Sequence, residues 1–333
     1  MSLPDVWTAE PGTKRLVRIP VPPGAEGISA WVIAGNRRGP KVLVCACIHG
    51  DEYEGPRALQ ELARALEPEE LQGTLVLAPV VNEGAMYAGK RCHPGDGKDL
   101  ARTFPGRADG SVTERIAFTF RTRLLAGADY FVDLHSASSE FRIRPLAGYQ
   151  MREGAVQEVQ RRMAIAFGVD FVWGTPGLPG RTLSSAGEMN IPAIYVEMPG
   201  EGRCRPEDVA FVRRGVLQVL AAVGMRDGTY PADAPAWFVE TRETGEGYLQ
   251  GGHRVTSAGL FFPEVELWQP VEAGQPLGKV YGPAGEILCT VPAEGPGRVV
   301  YLRTFPPVAA GDSVAAIAKI PSSTSSESEA GNA

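Results

Sequence analysis

The stretch VLVCACIHGDEYEG, residues 42–55, decides the fold class of this chain. With Lys41 it begins as a continuous apolar run (41–48), which is typical of a strand buried on both faces of a sheet. The run stops at His49, and Glu52 follows three positions later. Gly50 is predicted to supply the turn that lets both side chains face one point. The pattern indicates a parallel sheet with a polar site at a strand end.

Strands and helices alternate along the chain as far as about residue 225. This alternation predicts an α/β fold, with a mostly parallel or mixed sheet flanked by helices. Short β segments within 14–36 precede the main strands. The predicted strands are 41–48, 74–81, 128–136 and 193–200, and the predicted helices lie within 55–71, 114–125, 154–167 and 206–223.

A change in composition predicts a second domain. Residues 1–228 form the α/β domain in this prediction, and the turn-rich segment 226–235 is the linker. Short strands and Gly/Pro turns then fill 236–320, which indicates a small β-sandwich or barrel. The polar, low-complexity segment 321–333 is predicted to be a disordered tail.

Composition excludes several classes of function. The chain has 333 residues, a formal net charge of −6 and a pI of about 5.4, so it has no basic footprint for nucleic acid. No apolar run is long enough to span a membrane, and no signal core follows Met1, so the expected location is the cytoplasm. The five cysteines are scattered and form neither a disulfide framework nor paired CxxC zinc units.

Three strand ends carry polar residues that a strand does not need. The pair His49 and Glu52 fits either a metal site or a turn with a helix-capping acid. His135, at the end of a second strand, fits either a metal ligand or a hydrogen-bonded structural histidine. Glu197, inside an apolar strand end, fits either a buried ion pair or an acid–base group.

Together these residues favour metal chemistry. Two histidines and one glutamate, namely His49, Glu52 and His135, make a three-ligand set for one Zn²⁺ per chain with a position open for water. Glu197 is then the candidate general base, which takes a proton from the water and passes it to the leaving amine. Asp133 lies two residues before His135 and is a candidate partner for the imidazole of that ligand, or a plain core ion pair.

Four motifs in order, HGDE, RCHPGDGKDLARTFPG, DLHS and VEMPG, resemble the succinylglutamate desuccinylase/aspartoacylase family of the zinc carboxypeptidase superfamily. The resemblance covers residues 38–225, and the C-terminal β region is similar to the small β domain of such enzymes. It implies that His49, Glu52 and His135 bind zinc and that Glu197 is the general base.

The resemblance also implies roles for two arginines. Arg91 matches an arginine that stabilises the oxyanion, and Arg102 matches one that grips a substrate carboxylate through a bidentate fork. A surface or interdomain ion pair is the alternative for both. Where the family commonly has DLNR, this chain has Ala101 in place of the asparagine, so one amide donor is missing from the pattern.

The expected function is a zinc-dependent hydrolase that cleaves the amide bond of a small, anionic N-acylated amino acid. The alternative with the same chemistry is a metallocarboxypeptidase that removes a C-terminal residue from short peptides. A carrier module is disfavoured, because Lys279 lies in a strand-like run and not at a hairpin tip. The sequence leaves open the acyl group, the amino acid, self-association into a homo-oligomer, and whether the β domain caps the site.

Overall fold

The computed structural model describes residues 5–24, 27–242 and 249–319. The chain divides into two compact units, Met1–Gly247 and Tyr248–Ala333.

The first unit is built on a mixed sheet that, within the described residues, has nine strands in the order β1-β2-β4-β3-β5-β9-β7-β8-β10. Its centre is parallel: β3 pairs in parallel with β4 and β5, and β5 with β9. The antiparallel pairs are β1-β2, β2-β4 and β7-β9. The nine strands are β1 (Thr13–Pro20), β2 (Gly27–Ala34), β3 (Arg37–Ala46), β4 (Gln72–Val80), β5 (Tyr130–Ser136), β7 (Leu146–Gln150), β8 (Phe171–Thr175), β9 (Ala193–Met198) and β10 (Trp237–Glu240). A further short strand of this unit, β6 (Phe141–Ile143), is not part of the sheet.

Helices cover both faces of this sheet, as the alternating sequence predicts. One hydrophobic core lies beneath α1, α4 and α6, and includes Leu59, Met163 and Val216. The core on the other face includes Phe120 of α3 and Ala186 of α5. The helices are α1 (Glu54–Ala65), α2 (Glu83–Ala88), α3 (Val112–Arg123), α4 (Ala155–Ala166), α5 (Thr182–Glu188) and α6 (Pro206–Ala222).

Local sequence explains the helix boundaries. α3 starts two residues before the predicted position because Ser111 and Glu114 form a capping box, in which the Glu114 carboxylate accepts from the Ser111 N–H at 2.8 Å. α1 buries Ala58, Leu59 and Leu62, which recur at helical spacing. None of the helices in the described ranges combines the length and apolarity that crossing a bilayer requires.

The second unit contains two antiparallel sheets, with orders β11-β18-β16-β13 and β15-β14-β12-β17. Residues of both sheets pack together in two small apolar cores. One core includes Leu277 and Val299, and the other includes Phe261 and Val280. Its strands are β11 (His253–Arg254), β12 (Gly259–Pro263), β13 (Pro270–Val271), β14 (Pro276–Tyr281), β15 (Ile287–Pro292), β16 (Gly297–Arg303), β17 (Pro307–Val308) and β18 (Ser313–Ala318). This is the small all-β region that the composition predicts.

The division between the units differs from the predicted one. The sequence predicts that the β domain starts at residue 236, but β10 (Trp237–Glu240) pairs in parallel with β8 and extends the large sheet. Composition does not reveal to which unit β10 belongs, because a short edge strand has the same kind of sequence in either domain. The predicted tail, 321–333, lies outside the described residues.

Candidate active site

The strand that opens the sequence ends in a sharp change of chain direction. β3 stops at Ala46, and Cys47 has a positive φ of 54°, which directs the chain across the carboxyl end of the sheet. Gly50 lies in the following turn, as predicted. Glycine is required there by close packing, since an added Cβ would lie 2.0 Å from the carbonyl carbon of Ala85. This path carries His49 and Glu52 over the end of β5.

His49, Glu52 and His135 form a compact cluster. Their candidate ligand atoms all lie within 4.8 Å of one another. His49 Nδ1 is 2.7 Å from Glu52 Oε1, and His135 Nδ1 is 3.0 Å from Glu52 Oε2. The side chains are largely buried. Two imidazole nitrogens and a carboxylate, gathered in a shielded place, fit the donor set that zinc prefers.

The second nitrogen of each histidine meets an aspartate. His49 Nε2 is 3.1 Å from Asp99 Oδ1, and His135 Nε2 is 3.0 Å from Asp133 Oδ2. Each aspartate therefore fixes the orientation of one ring and leaves Nδ1 directed at Glu52. The contact of Asp133 was predicted from its spacing, whereas the contact of Asp99 with His49 was not.

The positive charges of the histidines and of Arg91 stabilise the ionised forms of the neighbouring carboxyl groups. Burial opposes ionisation of Asp99, but its hydrogen bond with His49, the charge of His49 and the charge of Arg91 hold its pKa well below the usual range. Burial likewise opposes ionisation of Glu52, and the two histidines lower the pKa of that carboxyl despite it. The cluster is built to keep its carboxylates ionised.

Glu197 lies on β9 beside His135, its direct partner in the register between β5 and β9. Its carboxyl behaves differently from Glu52. Burial, followed by the negative charge of Glu52, raises the pKa of Glu197 to about 8, although His135 and Arg91 act in the opposite sense. A carboxyl whose pKa lies near neutrality, next to a candidate metal site, is suited to accept and release a proton.

Arg91 lies in the same site. Its guanidinium donates to Asp99 Oδ2 from Nε at 3.1 Å and to Ser138 Oγ from Nη1 at 3.1 Å. Ser138 has a positive φ of 58°, and its hydroxyl donates to Glu52 Oε1 at 3.1 Å. Asp99 and Ser138 thus hold the arginine beside the cluster of His49, Glu52 and His135.

Arg102 and Arg181 are brought together by two loops. Gly180 has a positive φ of 80°, and an added Cβ there would lie 2.6 Å from the Arg102 carbonyl oxygen. The N–H of Phe104 donates to the Gly180 carbonyl at 3.0 Å. Burial, and then the positive charge of Arg102, lowers the pKa of Arg181. The Arg102 guanidinium donates to the Ala101 carbonyl at 2.9 Å.

Sequence reasoning did not assign several residues that the structure gathers around the cluster. The basic loops 138–150 and 174–186, which contain Ser138 and Arg181, fit either contact with an anionic substrate or a solvated face, and the sequence gives neither residue a specific role. Tyr195 shares the face of β9 with Glu197, and its ring lies over Gly148, where an added Cβ would be 2.2 Å from Cε1. Burial and the charge of Glu197 raise the pKa of Tyr195. The two-residue spacing of Tyr195 and Glu197 was the available signal.

Comparison with known proteins identifies the class. The sequence model of the succinylglutamate desuccinylase/aspartoacylase catalytic domain matches residues 38–223, and the chain belongs to this family. The predicted resemblance and fold class are therefore confirmed.

Among curated proteins, the N-alpha-acetyl-L-2,4-diaminobutyric acid deacetylase of Halomonas elongata is 35% identical over 308 residues, with 88% of each chain covered. Among solved structures, a succinylglutamate desuccinylase from Silicibacter sp. TM1040 has a TM-score of 0.83 and 28% identity, covering 96% of this chain and 97% of that one. The product-bound ectoine utilization protein EutE (DoeB) from Ruegeria pomeroyi also has a TM-score of 0.83 and 28% identity, with 95% and 97% covered.

Proposed function

We propose that the chain is a zinc-dependent hydrolase that cleaves the amide bond of a small N-acylated amino acid. The observation that carries the proposal is the cluster of His49, Glu52 and His135 beside the high-pKa carboxyl of Glu197. It occurs in a chain that belongs to a family named for deacylases. Water adds to the acyl carbon, the C–N bond breaks, and a carboxylate and a free amine leave.

The metal ligands in this proposal are His49, Glu52 and His135, with one ion per chain. A zinc ion held there would supply positive charge that polarises the scissile carbonyl, acidifies water and favours the ionised form of Glu197. With zinc bound, Asp99 and Asp133 would accept from Nε2 of the two histidines, and both Nδ1 atoms would be free to coordinate the ion.

Glu197 is the proposed general base. It accepts a proton from the attacking water and returns that proton to the amine nitrogen as the C–N bond breaks. Arg91 is the proposed oxyanion donor, because Asp99 and Ser138 hold its guanidinium 3.8 Å from Glu52 Oε1 and therefore beside the reacting carbonyl.

Arg102 and Arg181 are the proposed contacts for the carboxylate of the substrate. A planar guanidinium matches a carboxylate through two parallel hydrogen bonds, and two such groups in one pocket select an anionic substrate. Ala101 offers no side-chain amide donor beside them. The Halomonas relative is named for removing acetyl from N-alpha-acetyl-L-2,4-diaminobutyric acid, so we propose an N-acetylated diamino acid as the substrate to test first.

A substrate panel with a metal assay tests the proposal. Metal analysis of the purified protein is expected to find about one zinc per chain. N-Acetyl, N-succinyl and N-formyl amino acids, including the diaminobutyrate derivative, and short peptides are then scored for released amine. Faster cleavage of peptides than of acylated amino acids would move the assignment to a carboxypeptidase. A reconstituted protein that holds no zinc would overturn the metal site.

A further inference from the structure

We propose that Thr182 is a positioning residue, which fixes the Asp133 carboxylate that in turn orients the metal ligand His135. This inference rests on the proposed metal site. Thr182 is the first residue of α5 and is buried, with 3% of its surface exposed. Its hydroxyl donates to Asp133 Oδ2 at 2.5 Å.

The surroundings of Asp133 explain why this hydroxyl matters. Asp133 is completely buried, so it depends on protein donors. Oδ2 accepts from Thr182 Oγ1 and from His135 Nε2, and Oδ1 accepts from Cys45 Sγ at 3.3 Å. A thiol is a weak donor. Among these contacts, Thr182 therefore supplies the strongest restraint on the carboxylate that is independent of the ligand histidine.

The restraint reaches the metal site through one imidazole ring. Asp133 accepts the Nε2 proton of His135, which leaves Nδ1, 3.0 Å from Glu52 Oε2, free to serve as a ligand. If the Thr182 hydroxyl is removed, Asp133 loses a partner in a place that water does not reach. Its carboxylate can then rotate, and the ring that it orients rotates with it.

Thr182 also follows Arg181 directly, so the same hydrogen bond anchors the start of α5 to β5. The first turn is closed by Ser184, whose hydroxyl accepts from the Arg181 N–H at 3.0 Å. A shift of Thr182 therefore moves the backbone that carries Arg181. Through this one hydroxyl, the orientation of a metal ligand is coupled to the position of the proposed carboxylate-binding arginine.

The test compares Thr182→Val, which keeps the shape and loses the hydroxyl, with Thr182→Ser, which keeps the hydroxyl. Zinc affinity is measured on the whole chain by competition with a chromophoric chelator. We expect Thr182→Val to weaken zinc binding by about 10- to 100-fold, and Thr182→Ser to stay within about threefold of the wild type. In steady-state assays, we expect Thr182→Val to raise KM as well, whereas Thr182→Ser should keep the KM of the wild type.

Thr113→Val is the matched control. Thr113 is likewise fully buried and donates to an aspartate, Asp96 Oδ1, at 2.6 Å, but it lies at the start of α3. Thr113→Val is expected to lower the unfolding temperature and to leave the zinc affinity within about twofold of the wild type. If valine at 182 prevents folding, Thr182→Ala against Thr113→Ala makes the same comparison.

Two results would overturn the inference while leaving the proposed function intact. One is wild-type zinc affinity in Thr182→Val, and the other is an equal loss in Thr182→Val and Thr182→Ser. A wild-type chain that binds no zinc in the same titration would instead overturn the proposed function itself, and with it this inference.

Discussion

At the scale of single residues, the site separates its carboxyl groups into two kinds. Glu52, Asp99 and Asp133 each contact a histidine, and their pKa values are lowered in spite of burial. Burial and the nearby negative charge of Glu52 raise the pKa of Glu197 to about 8. Groups whose surroundings move their pKa values apart take different roles in acid–base chemistry. In the proposed function, the ionised carboxylates orient the histidines and the carboxyl of Glu197 transfers the proton.

Replacing Glu197 tests this separation. Glu197→Gln keeps the volume and removes the ability to accept a proton, so we expect kcat to fall by about 10²- to 10⁴-fold while zinc content is unchanged. Steady-state kinetics and metal analysis of the same preparation give the two numbers. Glu188→Gln, an exposed glutamate on α5 paired with Arg121, is the control and is expected to keep full turnover. Retained activity in Glu197→Gln would remove Glu197 as the base.

Much of the site was predictable because its residues are marked one by one along the chain. His49, Glu52, His135 and Glu197 each interrupt an apolar strand end, and parallel strands bring such ends to one edge. The structure places all four together. Arg181 and the contact between Asp99 and His49 were not predictable in this way, because they depend on how loops distant in sequence approach each other.

At the scale of elements, the carboxylate of Glu240 ties β10 to β7 and α4, in addition to the backbone pairing of β10 with β8. Glu240 accepts hydrogen bonds from Tyr149 Oη at 2.5 Å, Gln157 Nε2 at 2.8 Å and Arg161 Nε at 2.7 Å. Arg161 Nη2 donates to its second oxygen at 2.6 Å. β10 is only four residues long, so these side-chain contacts supplement a short backbone ladder.

Glu240→Gln is therefore expected to destabilise the first unit by about 1–3 kcal/mol, because partly buried donors lose a charged acceptor. Denaturant unfolding measures the loss, and amide exchange in β10 is expected to rise. Glu158→Gln is a matched control, since Glu158 pairs with the same Arg161 but is exposed. Its cost is expected to be below about 0.5 kcal/mol. Equal costs for the two variants would contradict the special role of Glu240.

A second element, the loop before α3, gives a pH-dependent prediction. Burial opposes ionisation of Asp96, but hydrogen bonds from Thr113, Ser111 and Lys98 lower its pKa to about 2. An unfolded aspartate titrates near pH ~3.9, so the ionised form contributes stability above about pH 4 that is lost as pH falls towards 2. Asp96→Asn should then cost about 1 kcal/mol at pH 7 and progressively less as pH falls from 4 to 2.

Urea unfolding of both proteins at several pH values checks the sign of this effect. A constant difference between wild type and Asp96→Asn from pH 2 to pH 7 would show that charge on Asp96 is not the cause.

Two of the helices that were not predicted share a physical reason. α2 and α5 have six and seven residues, too few for an apolar repeat to show. α2 is capped by Asn82, whose side chain accepts from the Ala85 N–H at 3.3 Å, and α5 is anchored through Thr182. The long, patterned elements were placed correctly to within a few residues, because their burial is visible in the sequence.

At the scale of the whole molecule, all the proposed metal ligands belong to the first unit, Met1–Gly247. A ligand that binds only the folded state stabilises that state by an amount set by its concentration relative to Kd. Zinc at 100 times its Kd should therefore raise the free energy of unfolding of the metal-free chain by about 2.7 kcal/mol.

Thermal unfolding with increasing zinc measures this linkage, and the unfolding temperature is expected to rise until the site is saturated. His49→Ala removes a ligand and should flatten the dependence. Magnesium, which prefers oxygen donors, is the control ion and should have little effect on either protein. An equal rise in His49→Ala would place the bound zinc elsewhere on the chain.

The absence of a side chain at Gly148 has a consequence for how the substrate range of such an enzyme can change. The ring of Tyr195 occupies the place where any side chain at 148 would begin. Tyr195 and Glu197 project from the same face of β9. A single added methyl group at 148 would displace this ring and change the shape of the surface next to the Glu197 carboxyl. Every charged group would be retained. A change of substrate range can thus arise at a position that carries no side chain.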